Sequence, residues 1–129
     1  MALKKLHTDD KHIRALAKLV SGPRSILYHE EDLISYDCDG FTIYKALPRA
    51  VVFPSSTEEV AAIVKYCHEN QLPFLARGAG TGLSGGAIPL NNEVIISLVK
   101  MKRLISVDYE NRRAVVEPGY INLKLTNSI

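Results

Sequence analysis

Residues 74–89 read Phe74-Leu75-Ala76-Arg77-Gly78-Ala79-Gly80-Thr81-Gly82-Leu83-Ser84-Gly85-Gly86-Ala87-Ile88-Pro89 and hold five of the eight glycines in a chain of 129 residues. Glycine tolerates positive φ and has no Cβ, so such a stretch can turn several backbone N–H groups toward one point and admit an anion closely. Arg77 opens the loop with a permanent cation, Thr81 and Ser84 add hydroxyl donors, and no acidic residue interrupts the run. The inference from these residues is a phosphate or pyrophosphate cradle.

Two common cradles are excluded by the residues downstream of the glycines. A P-loop needs a Gly-Lys-Ser/Thr step opening a helix, and no such lysine is present. Gly80-x-Gly82-x-x-Gly85 does match the dinucleotide fingerprint GxGxxG, and Asp108 lies roughly 20 residues on, where a ribose-binding acid is expected. That fingerprint must run into a helix N-terminus, and Gly85, Gly86, Pro89, Asn91 and Asn92 leave no room for one. The loop enters a strand instead, Val94 to Leu98.

The flanks read as alternating elements. Arg49 to Phe53 is a β-branched and aromatic run stopped by Pro54, hence a strand. Ser56 with Glu59 three residues later forms a capping box, and Val60, Ile63, Val64 and Cys67 make one apolar helical stripe that ends before Pro73. Phe74 to Ala76 resumes as a short strand, so residues 49–76 make a βαβ unit with a right-handed crossover. Cys67 then faces the core, and His68 lies on the solvated flank. Leu104–Asp108 and Arg113–Glu117 surround a four-residue turn and read as a hairpin.

Pro48-Arg49-Ala50-Val51-Val52-Phe53-Pro54-Ser55-Ser56-Thr57-Glu58-Glu59-Val60, the loop from Arg77 to Pro89, Val94-Ile95-Ile96-Ser97-Leu98-Val99-Lys100-Met101 and Ala114-Val115-Val116-Glu117-Pro118-Gly119-Tyr120-Ile121-Asn122 together resemble the vanillyl-alcohol oxidase and p-cresol methylhydroxylase (PCMH) superfamily of FAD-binding proteins. Within it they are most similar to the flavoprotein subunit of bacterial glycolate oxidase and related D-2-hydroxy acid dehydrogenases. The resemblance covers about Tyr36 to Thr126. It implies an α+β fold: a PCMH-type FAD-binding domain with its first βαβ subdomain and the start of a second, antiparallel subdomain. Residues 1–45 would be an N-terminal helix and irregular extension, 46–103 the first subdomain, and 104–129 the incomplete second.

The resemblance further implies that the FAD pyrophosphate meets Arg77, Gly78, Ala79, Gly80, Thr81, Gly82, Leu83, Ser84, Gly85 and Gly86, with Pro54 and Ala87 nearby. Some members attach FAD through a histidine where this chain has Thr81, which offers no ring nitrogen, so binding is expected to be non-covalent. Relatives handle substrate with residues of a domain that has no counterpart here, so no catalytic residue and no metal ligand is assigned. The expected activity is oxidation of a 2-hydroxy acid of glycolate or D-lactate type by a truncated or split flavoprotein. Its partners would be a missing C-terminal flavin and substrate portion or other oxidase subunits. The alternative is a non-catalytic module or gene remnant without turnover.

Composition bounds the remaining classes. Hydrophobic content of 47%, charged content of 23% and a formal net charge of +2 suit a folded domain. The basic residues are dispersed, with Lys100-Met101-Lys102-Arg103 and Arg112-Arg113 the only clusters, which argues against an extended nucleic-acid surface. No apolar run approaches the roughly 20 residues of a membrane span. Asp9, Asp10, Lys11, Arg14 and Lys18 interrupt any signal-peptide core. Cys38 and Cys67 lack metal spacing and read as free thiols, so a cytoplasmic location is expected.

Toward the N-terminus, Ile13, Leu16, Ala17 and Val20 recur at helical spacing between Asp9 or Asp10 and Ser21-Gly22-Pro23, which predicts an amphipathic packing helix. Residues 24–47 read as irregular. Within them Tyr36, Asp37, Asp39 and Tyr44 read as a solvated turn around Asp39-Gly40 rather than a catalytic cluster. His7, His12 and His29 have no partnered spacing.

Overall fold

The computed structural model describes residues 10–128; His7 and Asp9 lie outside them. Helix α1, Lys11–Ala17, starts where Asp10 caps it by accepting from the His12 amide at 2.8 Å, and it buries Ile13 and Leu16. His12 does have a partner: its Nδ1 lies 2.9 Å from the Tyr66 hydroxyl. Asp10 also pairs with Arg49 at 2.8 Å, so the start of the helix is held to the strand region beyond it.

The segment expected to be irregular is partly ordered. It contains β1 (Ile26–Leu27), α2 (Glu30–Leu33) and a 3-10 turn (Ile34–Tyr36). A two-residue strand and a four-residue helix are too short to leave a period in the sequence. They form because β1 pairs antiparallel with β2 (Ala50–Val52), and Leu33 is fully buried beneath that sheet.

Helix α3, Thr57–Glu69, matches the capping-box reading in part. The Ser56 hydroxyl accepts from the Glu59 amide at 3.3 Å, as expected. The Glu59 carboxylate, however, reaches back one residue further, accepting from the Ser55 amide at 2.8 Å and from the Ser21 amide at 3.1 Å. Burial raises its proton affinity, but a bond from the Ser21 hydroxyl together with these two outweighs that and holds its pKa below the ordinary value. The carboxylate thereby fastens the segment after α1 to the start of α3.

Strands β3 (Phe74–Arg77) and β4 (Val94–Ser97) complete a four-stranded sheet of order β1-β2-β4-β3, in which β2, β4 and β3 are parallel. The βαβ unit β2-α3-β3 therefore spans β4, which enters between its two strands. One face packs Val52, Val94 and Ile96 against Ile63 and Cys67 of α3 and Leu16 of α1. The other packs Val51 and Ile95 against Leu33, with Phe53 joining the cluster and Tyr36, Leu47 and Leu75 against it. Coverage on both sides explains why every residue of β2 and β4 is buried. Burial pushes the Cys67 thiol upward, as suits a core residue.

β5 (Leu104–Asp108) and β6 (Arg113–Val116) form a separate two-stranded antiparallel sheet with a register shift between Leu104 and Ser106. Asp108 accepts from the Asn111 amide at 3.0 Å inside the turn, and Arg112 takes φ +53°. The buried Glu117 closes the base, accepting from the Arg103 amide at 2.7 Å and from its Nε at 2.8 Å. A helix the sequence pattern did not announce, α4 (Asn122–Ser128), lies beyond the hairpin.

Candidate functional site

Because β2, β4 and β3 run parallel, their carboxyl ends share one edge of the sheet: Phe53-Pro54 after β2, Gly78 after β3 and Leu98 after β4. Ligands of parallel sheets gather at that edge, where loops leave the strands. The glycine-rich loop starts there, one residue past Arg77, whose carbonyl accepts from the Leu98 amide at 2.9 Å. Pro54, which follows β2 at the same edge, is fully buried. Lys100 brings a positive charge to the end of β4, donating to Ser25 Oγ at 3.2 Å and lying 5.9 Å from the Phe53 ring centroid.

Arg77 is turned inward, only 8% exposed. Its guanidinium donates to the carbonyl of Cys38 at 2.8 Å and of Ala87 at 3.1 Å, approaches that of Tyr36 at 3.5 Å, and sits 5.4 Å from the Tyr36 ring centroid. Ala87 is the far end of the loop, so one side chain ties the loop's two ends together and to the segment before β2. Gly80 folds back over it with φ +74°; a Cβ there would lie 2.6 Å from the guanidinium carbon. No residue but glycine meets both the dihedral and the space.

The same preceding segment grips the loop a second time. The turn is exposed from Gly40 to Tyr44, as expected of a solvated turn, but Asp39 itself is only 5% exposed, which corrects that part of the reading. Its carboxylate accepts from the Phe41 amide at 2.9 Å and from the Gly85 amide at 2.9 Å. These two N–H groups hold its pKa below the ordinary Asp value. The Gly40 amide donates to the Gly82 carbonyl at 2.9 Å, and a Cβ on Gly40 would stand 2.9 Å from the Thr81 carbonyl oxygen. The sequence marked Asp39-Gly40 as a turn but held no sign of its partner, since the bond to Gly85 spans 46 residues.

The outer side of the loop is left open. Gly78, Gly82 and Gly86 have no positive φ, and an added Cβ at any of them meets nothing within 4 Å. The amides of residues 78–84 donate to no group among the described residues. Gly78, Ala79, Thr81, Gly82, Leu83, Ser84 and Gly86 are exposed, and Gly80, Gly85 and Ala87 half-buried. Glycine without an internal reason, beside unengaged amides, is the arrangement of a surface reserved for an anion that touches backbone. The residues therefore fit a pyrophosphate. Among the described residues no group of three or more His, Cys, Asp or Glu is placed to hold a metal, and no helix is long and apolar enough to cross a membrane.

Gly119 makes the second close approach of backbone to backbone. Its amide donates to the Met101 carbonyl at 2.8 Å, and a Cβ there would run into the carbonyls of Leu98 and Met101. The Glu117-Pro118-Gly119 corner thus packs against the chain leaving β4.

Comparison with known proteins agrees with this geometry. The sequence model of the FAD binding domain matches residues 48–129. The chain is 40% identical over 117 residues to the glycolate oxidase subunit GlcD of Escherichia coli K12, covering 91% of this chain and 23% of that protein. It is 41% identical over 100 residues to D-lactate dehydrogenase of Anaerostipes hadrus, covering 77% of this chain and 21% of that protein. p-Cresol methylhydroxylase, solved with substrate bound, superposes with a TM-score of 0.80 at 29% identity over 93% of this chain and 24% of its own. The chain thus spans about a quarter of the length of the proteins it matches. On the matched sequence and the shared α+β architecture, with its parallel strands and open glycine loop, the chain belongs to the FAD binding domain family in its PCMH-type form.

Proposed function

We propose that residues 78–86 bind the pyrophosphate of FAD non-covalently through backbone amides, with the Thr81 and Ser84 hydroxyls facing the same anion. The observation that carries this is the loop's outer side, where three glycines have neither a strained dihedral nor a neighbour to explain them. Arg77 ties the ends of the loop together through Nη1, and its Nη2 and Nε lie beneath Gly80, on the loop side. Pro54 and Ala87 frame the ends. Thr81 has no ring nitrogen with which to form a covalent flavin bond.

The whole protein's chemistry is drawn from the relatives. Glycolate oxidase and D-lactate dehydrogenase both have names that specify a 2-hydroxy acid, and we assign this chain to an oxidoreductase of that class. FAD bound at this loop would supply the two-electron oxidising power for the reaction. This chain's residues bind and orient the cofactor; substrate handling belongs to a further flavin and substrate portion or to other oxidase subunits. The proposed location is the cytoplasm, in line with two free cysteines.

The test is FAD titration of the chain by flavin fluorescence and calorimetry, with Gly82→Ala alongside. Open space around Gly82 means that the alanine leaves folding intact, or stabilises the fold by about 0.4–1 kcal/mol through the unfolded chain. Affinity should fall at least about tenfold as the methyl meets the ligand. Absence of saturable binding, or equal binding by the variant, would overturn the assignment.

A further inference from the structure

The family model's match begins at residue 48, yet three constraints on the glycine loop come from before it. The segment from Tyr36 to Phe41 supplies the carbonyl of Cys38 to Arg77, the carboxylate of Asp39 to the Gly85 amide, and the Gly40 amide to the Gly82 carbonyl. An Ala46 amide bond to the Asp37 carbonyl at 2.8 Å closes the loop that carries this tip. We infer that residues 36–41 are a positioning strap for the cofactor site and that Asp39 sets the conformation of the anion-binding loop; this rests on the reading of that loop as the FAD pyrophosphate cradle.

The physical case turns on a conflict of sign. A carboxylate within hydrogen-bonding distance of an anion-binding loop repels the anion, so charge alone makes Asp39 a liability. What it supplies is geometry. Two oxygens each hold a different amide, Phe41 on the strap and Gly85 on the loop, so one side chain fixes the strap's tip to the loop's far arm. Gly85 has φ +81°, a conformation held better when its amide is bonded. With Gly85 tied down by Asp39 and the Gly82 carbonyl by Gly40, the amides of residues 78–84 are kept from bonding among themselves. Asparagine has one acceptor oxygen and cannot serve both amides in this two-oxygen geometry.

Asp39→Asn therefore separates the two effects. If Asp39 acts only through its charge, the variant binds FAD as tightly as wild type or more tightly; if it positions the loop, affinity falls about tenfold. Asp37→Asn is the control, because Asp37 carries the same charge two residues away and reaches Lys45 at 3.9 Å rather than any loop amide. Amide hydrogen exchange on the unliganded full chain supplies a readout independent of FAD. We expect Gly85 to exchange about tenfold faster in Asp39→Asn while Ile95, in β4, is unchanged. Equal or tighter FAD binding with β4 protected overturns the inference, as does unaltered Gly85 exchange. Should Asp39→Asn fail to fold, Gly40→Ala tests the strap as a whole, because its methyl runs into the Thr81 and Gly82 carbonyls that the strap packs against; wild-type affinity in that variant overturns the positioning role of residues 36–41. A wild-type chain that does not bind FAD refutes the cradle reading instead, and Gly85 exchange still decides the role of Asp39.

Discussion

Replacing Arg77 by methionine tests whether a buried cation at the mouth of an anion site is a ligand or a strut. Two of its hydrogen bonds are well formed, at 2.8 Å to Cys38 and 3.1 Å to Ala87, while the 3.5 Å approach to Tyr36 is too long to count. Bonds from a charged donor contribute about 1.5–3 kcal/mol each, so at the lower end the pair amounts to about 3 kcal/mol. Methionine fills similar volume, which limits the loss to the polar contacts. With an m-value of about 2 kcal/mol/M for a domain of this size, the urea midpoint should fall by roughly 1.5 M. Urea unfolding followed by circular dichroism measures this without ligand, and FAD titration of the same samples measures the site. Arg77→Lys should recover little stability, because the shorter side chain does not carry its ammonium to the Nη1 position from which both carbonyls are reached. A phosphate ligand behaves oppositely: stability would be unchanged, affinity would collapse, and lysine would restore much of it. That pattern would refute the strut.

Leu33 lies in a segment whose sequence carries no periodicity, but it is fully buried. Leu33→Ala should cost about 2–5 kcal/mol in chemical denaturation, and a loss below about 0.5 kcal/mol would mean that α2 does not pack as described. Acid should also weaken the hairpin base: the Arg103 side-chain and backbone bonds hold the Glu117 carboxyl below its ordinary value near 4.5. A depressed folded-state pKa stabilises above the unfolded value, and that stabilisation is lost as pH falls through the folded one. Stability should therefore decline from about pH 5 downward, and Glu117→Gln should flatten that slope; an unchanged slope would exclude the pair as its source.

Elements whose information is local were legible in the sequence. Helix α3 has a cap at Ser56 and an apolar stripe through Ile63 and Cys67, and both survive in the fold because each depends on residues within a turn or two. The β5–β6 hairpin was legible because its turn chemistry sits at Asp108 to Arg112. Strand β1 and helix α2 were not, since two and four residues carry no period and are ordered only by β2 and the underside of the sheet. Strand order was equally hidden: hydrophobic runs identify β2, β3 and β4, but nothing local states that β4 enters between the other two.

For the site, composition and order alone marked residues 78–86 as a glycine-rich loop after a strand, because missing Cβ atoms act wherever the chain goes. Tertiary structure alone decided which charges serve it. Arg77 holds the carbonyls of Cys38 and Ala87 with one guanidinium nitrogen, Nη1, while Asp39, which looked solvated, is buried against Gly85. A side chain's electrostatic role depends on which polar groups lie within about 3 Å of it, and here the decisive ones arrive from segments some 40 residues away.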